Sequence, residues 1–304
     1  MSTKKKKSPH KISKFINEKE GFRVALVNAT EAVREMQTIQ GTFPIATMMV
    51  GRSMVAASLL ASQLKDGEVV SLYFRGNGPI EMVFAEANFE GGVRGYTPHP
   101  RLELPFVQNR LDLSGAIGRG FLNVVRSSEQ SPQPYRGTVE IQTGEIGDDV
   151  AYYLEQSQQT RSAVSLGVKV SAYGQVLSAG GIIIELLPGC DPLVENLIAD
   201  RVSEAGSLSE AIESGASQAD ILDMYLSGFN MRELEHPYFL TYSCRCSGDR
   251  LKRSLNLLPL SDLDDIIAKQ DDIQAKCEFC GREYKIPRGE AVKLRDKKYR
   301  NTLN

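Results

Sequence analysis

Apolar and polar positions alternate over 22–28 (FRVALVN) and predict a strand, which leads into ATEAVREMQTIQ, a helix with Thr30 or Asn28 near its N-terminus. Pro44 opens a long apolar helix that is expected to end at Lys65-Asp66-Gly67, with Gly67 at the C′ position. Three β-rich runs follow in VVSLYFRGNGPIEMVFAEANFEGGVRGYT, separated by GNGP and EGG, the pattern of a meander. A second β region begins near Phe121 with GFLNVVRS, RGTVEIQTG and SAVSLGVKVSAYGQVLSAGGIIIELLPG, and DDVAYYLEQSQQT within it reads as a helix. These elements predict a mixed α/β (α+β) core domain over 17–188.

The pattern changes beyond Cys190. From Asp191 to Leu240 the chain is helical in period and acidic, with ten Asp or Glu against Arg201 and Arg232. Short helices broken by Gly206, Gly215 and Gly228 bury little surface alone, so residues 189–238 are expected to form a helical linker that depends on its neighbours. A small C-terminal zinc-binding domain is expected over 239–287. Lysines at 4, 5, 6, 7, 11 and 14 predict a disordered basic tail over 1–16, and RGEAVKLRDKKYRNTLN a basic tail over 288–304.

The 304 residues, 41% of them hydrophobic, suffice for one sizeable core and a second small unit. A net charge of −2 gives no global pull toward nucleic acid or an anionic membrane, so either partner would need a local patch. The basic start leads into no apolar signal region, and Arg52, Ser53, Ser58 and Gln63 interrupt the longest apolar stretch, so a soluble, cytoplasmic chain is expected. The glycine clusters GAIGRG and GNG precede strand-like runs rather than helices, which excludes a dinucleotide fingerprint and leaves turn glycines. His10, His99 and His236 are dispersed, and Cys190 reads as a buried or incidental thiol. No acid–base constellation is legible, so an enzyme is not expected.

The remaining four of the five cysteines stand in two knots, Cys244 and Cys246 in YSCRCSGDR and, thirty residues on, Cys277 and Cys280 in CEFCGREY. Two pairs at CxC and CxxC spacing supply four soft ligands for one tetrahedral Zn²⁺, with Gly281 letting backbone amides approach the sulfurs. Such a site supplies on the order of 10–16 kcal/mol to a module with few apolar residues of its own. A static zinc knuckle and a redox switch share these ligands, because oxidation of the thiolates would eject the metal and remove that folding energy. Arg245, Arg250, Lys252 and Arg253 beside the first knot admit an alternative, a zinc knuckle that binds nucleic acid; they also offset the charge of four thiolates on Zn²⁺.

With these knots, and with RGNGPIEMVFAEA, VRGYTPHP, PYRGTVEIQTGEIGDDVAYYLEQSQQT and SAGGIIIELLPG upstream, the chain resembles the 33-kilodalton heat-shock chaperonin family of redox-regulated holdases over roughly residues 20–287. The resemblance implies that Cys244 and Cys246 match the family's CxC, and Cys277 and Cys280 its CxxC. It further implies a zinc-bound, reduced form that is inactive. Oxidation would form Cys244–Cys246 and Cys277–Cys280 disulfides, release zinc and unfold the module and linker. The activated homodimer would then hold unfolding client proteins without ATP, with neither membrane nor nucleic acid as an expected partner.

Overall fold

A computed structural model describes residues 11–107, 110–128, 131–235, 238–269 and 272–303. The chain divides into two compact units, one ending at Ser243 and the other beginning at Cys244.

In the first unit β1 (Ile12–Asn17) and β2 (Phe22–Asn28) form a hairpin, closed where Gly21 takes φ +75° and the Asn17 side chain accepts the Glu20 N–H at 2.9 Å. Helix α1 (Thr30–Gln40) begins where Asn28 Oδ1 accepts both the N–H and the hydroxyl of Thr30. Helix α2 (Pro44–Ala61) has proline in its first turn, where a missing N–H costs nothing. The meander is β3 (Glu68–Gly76), β4 (Met82–Asn88) and β5 (Gly92–Tyr96). A short α3 (Leu113–Ile117), capped by Asp112, precedes the strands β6 (Gly120–Ser128) and β7 (Ser131–Glu140), and α4 (Ile146–Gln158) precedes β8 (Ser162–Val170) and β9 (Val176–Leu186). Three helices follow, α5 (Pro192–Glu204), α6 (Leu208–Ser214) and α7 (Gln218–Leu226), and then β10 (Arg232–Leu234) and β11 (Thr241–Tyr242). One sheet runs β10-β1-β2-β9-β8 and the other β11-β5-β4-β3-β6-β7.

Helix α2 joins the two sheets. It packs on β8 and β9 of one and on β3, β4 and β5 of the other, and is apolar on nearly every side. Its mean hydropathy of 1.4 would suit a membrane span, yet 83% of it is buried inside the fold, so its apolar character serves the core. Close approach is bought with glycine: a Cβ at Gly181 would stand 2.5 Å from Val55 Cγ1, and one at Gly95 would stand 2.9 Å from both Met54 and Val50. The helix ends at Ala61, earlier than the sequence predicts, because residues 62–64 turn back with Ser62 Oγ donating to the Leu59 carbonyl; Gly67, at φ +76°, serves the loop instead.

The acidic helices cover the far face of the five-stranded sheet. Ile198, Leu208, Ile212, Ile221, Tyr225 and Leu226 pack against Phe15, Phe22, Val24, Leu26, Ile182 and Ile184 in a core separate from that around α2. Both faces of β2 and β9 are therefore buried. Of the linker's other apolar positions, Leu222, Met224 and Phe229 are partly buried against this core, whereas Leu193 and Leu197 are already exposed. Polar ties hold the cover down: Arg161 pairs with Glu195 at 2.7 Å, Lys169 with Glu213 at 2.9 Å, and Ser165 meets the Tyr225 hydroxyl at 2.9 Å. Caps at Asp191, Ser207 and Ser217, the last a full capping box, stabilise helices too short to stand alone.

The basic N-terminal tail expected over 1–16 stops short of that boundary. Residues 12–17 form β1, since Ile12 and Phe15 are apolar enough to enter the two cores while Lys14 donates to the Ser62 carbonyl at 2.6 Å. Residues 1–10 lie outside the described residues.

The second unit holds α8 (Gly248–Leu257), α9 (Leu260–Lys269), the hairpin β12 (Asp272–Lys276) and β13 (Glu283–Pro287), and α10 (Arg288–Leu303). Two expected boundaries shift. Phe239–Tyr242 belongs to the first unit, where β11 pairs with β5, so the second begins at Cys244 rather than 239. The residues expected as a basic C-terminal tail over 288–304 are helical to Leu303, because Ala291, Val292 and Leu294 bring one apolar face to a core of Leu255, Leu263, Ile267, Ile273 and Ile286. Lys252 pairs with Glu290 at 2.5 Å and Arg295 with Asp264 at 2.8 Å, fastening α10 to α8 and α9.

Gly181→Ala is expected to lower stability by about 1–3 kcal/mol through overpacking against Val55 and Leu59, despite alanine's better backbone entropy, and urea unfolding followed by circular dichroism checks it.

Candidate metal centre

Two local structures in the second unit deliver the four cysteines. Cys244 and Cys246 precede α8, whose N-cap Ser247 accepts the Arg250 N–H at 3.2 Å. Cys277 and Cys280 occupy the loop of the β12–β13 hairpin, tied by Cys277 N–H to the Arg282 carbonyl at 2.9 Å and Gly281 N–H to the Cys277 carbonyl at 2.8 Å. Gly281 adopts φ +67°, which an L side chain rarely takes.

All four sulfurs lie within 4.8 Å of one another. Contacts cross between the knots, Cys244 to Cys277 at 3.6 Å and Cys246 to Cys280 at 3.3 Å. Zinc–sulfur bonds of about 2.3 Å place tetrahedral sulfurs about 3.8 Å apart, so this donor set fits Zn²⁺ in size, softness and number. Backbone N–H groups reach the sulfurs, Cys246 N–H donating to Cys244 and Arg282 N–H to Cys280.

The four thiols are not equivalent. Burial pushes the Cys244 thiol up to about 12, aided by the neighbouring thiols of Cys246 and Cys277. Burial acts upward at Cys246 too. There, donation from the Tyr284 hydroxyl at 3.0 Å and from the other thiols outweighs it and brings the value down to about 7. Cys246 thus takes negative charge more easily than Cys244 or Cys280, and the Tyr284 hydroxyl is the foremost contact that favours it. Sequence reasoning does not single out Tyr284; its position four residues after Cys280 is the signal that marks it as a neighbour of the sulfurs.

Other sequence candidates do not join this cluster. Cys190 is half-buried beside Gly21 and Asp191, and burial followed by the nearby carboxylates of Glu195, Asp191 and Glu20 pushes its thiol up, which fits an unreactive cysteine. His99 sits 3.2 Å from Glu81 at the surface, and His10 and His236 lie outside the described residues. GAIGRG builds the short α3 and the entry to β6, and no phosphate loop.

The chain thus combines a mixed α/β core with a C-terminal module whose four cysteines are placed to hold a metal ion. The model of the Hsp33 protein family matches residues 10–287. The chain is 36% identical over 281 residues to the 33 kDa chaperonin of Acaryochloris marina, covering 91% of this chain and 93% of that protein. It is 39% identical over 278 residues to the 33 kDa chaperonin of Synechococcus elongatus, covering 90% and 93%. The crystal structure of the 33 kDa chaperonin (Hsp33 homologue) of Thermotoga maritima superposes with a TM-score of 0.83 at 28% identity, covering 95% of this chain and 99% of that one. The chain belongs to the Hsp33 family, and the family supports a chaperone function.

Tyr284→Phe removes a hydrogen bond to a sulfur ligand while keeping the ring. The expected result is about a tenfold loss of zinc affinity with an unchanged fold, measured by competition with a chromogenic chelator under reducing conditions.

Proposed function

We propose that the chain is a redox-switched, ATP-independent holdase rather than an enzyme, acting in the cytoplasm, with Cys244, Cys246, Cys277 and Cys280 holding one Zn²⁺ in the reduced, inactive form. The observation that carries this reading is the convergence of four sulfurs from two knots within 4.8 Å, in a module whose own core, among the described residues, is six buried side chains. Bound zinc supplies the crosslink that lets so small a core stay folded.

Oxidation removes the ligands. A thiolate attacks one oxygen of a peroxide, forming a sulfenic acid and releasing hydroxide; its neighbour attacks that sulfur, forming the disulfide and releasing a second hydroxide. The cysteine pair loses two electrons, the peroxide gains two, and two protons from solvent complete two waters. In the folded module sulfurs of different knots, 33 and 34 residues apart in sequence, stand in contact. Once the module opens, those long loops lose proximity, whereas Cys244 with Cys246 and Cys277 with Cys280 remain neighbours along the chain. Oxidation coupled to unfolding therefore favours pairing within each knot.

The linker follows from its construction. Helices α5–α7 are short, acidic and held by surface ion pairs over one apolar face of the five-stranded sheet. Undocking would bare Phe22, Val24, Leu26, Ile182 and Ile184 together with Ile198, Ile221 and Tyr225, surfaces suited to apolar segments of an unfolding client and to a second activated copy. The linker's negative charge keeps such complexes soluble. A nucleic-acid-binding knuckle has less support, since Lys252 is paired with Glu290 and Arg250 donates to the Arg245 carbonyl at 2.9 Å, uses internal to the module.

The test follows light scattering from a chemically unfolded client while the reduced, zinc-loaded protein is treated with peroxide at elevated temperature and released zinc is read with a chelator. Suppression of aggregation should rise as about one zinc per chain is released. Zinc that stays bound, or leaves with no gain in suppression, would sink the switch and leave the cysteines structural.

A further inference from the structure

The outward face of the six-stranded sheet is unused by any of the above. Strand register sets its side chains in rows, since inward Val70, Leu72, Phe74, Leu122 and Val124 are fully buried and their neighbours point away. The central row crosses five strands: Tyr96, Phe84, Tyr73, Asn123 and Thr138. Its aromatic rings are in contact, Tyr73 to Phe84 at 4.6 Å and Phe84 to Tyr96 at 5.7 Å between centroids, with Phe84 buried between the two partly exposed tyrosines. In the flanking rows stand Arg75, opposite an exposed Phe121, and Arg136, opposite Val125. Arg75 lies over the Tyr73 ring at 5.9 Å. Tyr73, Arg75, Asn123, Val125, Arg136 and Thr138 line an open recess of about 480 Å³.

The charges on this face are Arg75, Arg94 and Arg136 against Glu86 and Glu140, and Glu86 is engaged by Arg94 at 2.8 Å. The two arginines beside the recess give it the local positive charge that the chain as a whole, at −2, lacks. Thr138 donates to Asn123 Oδ1 at 2.8 Å, holding the Asn123 carbonyl and leaving its amide N–H groups for a ligand. Aromatic rings on adjacent strands, flanking arginines and an amide–hydroxyl pair are the combination that stacks bases, pairs phosphates and reads a 2′-hydroxyl on an open sheet. An apolar client segment would find few aliphatic side chains here.

We propose that this face binds single-stranded RNA, with Tyr73 as a stacking platform, Arg75 and Arg136 as phosphate contacts, and Asn123 and Thr138 as 2′-hydroxyl partners. The site lies wholly in the first unit and is independent of the metal centre and of the holdase reading.

The experiment is fluorescence anisotropy of a fluorescein-labelled uridine dodecamer with the full-length, reduced, zinc-loaded protein at low salt, beside a thymidine dodecamer of the same length. Tyr73→Ala is expected to weaken RNA binding between about fivefold and a hundredfold, and Tyr73→Phe to retain it. Arg75→Ala with Arg136→Ala, two exposed positions that leave the fold intact, should weaken it and reduce the log–log salt slope by about 1.4. DNA should bind more weakly than RNA. Absence of an anisotropy change at low salt, equal binding of DNA, or affinity indifferent to these variants would overturn the proposal. So would variants that reduce capture of a denatured client by the activated protein while RNA binding is unchanged, an outcome that assigns the face to polypeptide.

Discussion

Four sulfurs brought within 4.8 Å of one another cannot all carry charge without a cation among them, and among the described residues the module around them has a core of only six buried side chains. Each deficiency answers the other. As thiolates the sulfurs would need a metal to share their charge, and a bound metal would crosslink the fold around them. In the proposed switch that pairing couples sulfur chemistry to folding: oxidation that consumed the thiolates would also remove the folding energy that a bound metal supplies. Tyr284 adds an asymmetry, lowering one sulfur while burial raises another.

The first unit is built on a different constraint. Helix α2 is buried between two sheets at distances that only glycine on the facing strands permits, so its core is rigid and continuous. Against this stands the cover of α5–α7, which buries a second, smaller core using short capped helices and ion pairs at the surface. In the proposed activation the scaffold would persist while this cover is released, which suits a protein of a chaperone family.

The six-stranded sheet gathers on one face residues with no sequence relationship. Tyr73, Tyr96, Asn123 and Arg136 lie in separate runs, and only antiparallel register places them on one face. Lys252 shows the reverse: beside Arg250 and Arg253 it reads as a basic patch, and in three dimensions it is spent on Glu290 of α10.

Local chemistry determined much of this protein from the sequence alone. The strand at 22–28, the helix opened by Pro44, the meander with its GNGP turn and the soft-ligand spacing of Cys244, Cys246, Cys277 and Cys280 all follow from periodicity, backbone restriction and ligand type, which act over a few residues. Tertiary structure decided what depends on distant partners. It made Ile12–Asn17 a strand because β2 and β10 flank it, made 288–303 a helix because α8 and α9 offer an apolar groove, and moved Phe239–Tyr242 into the first unit through β5. It also turned the Tyr284 hydroxyl toward Cys246. A lysine-rich or arginine-rich segment looks like a solvated tail until something apolar is placed beside its few hydrophobic residues, and that placement is a property of the whole fold.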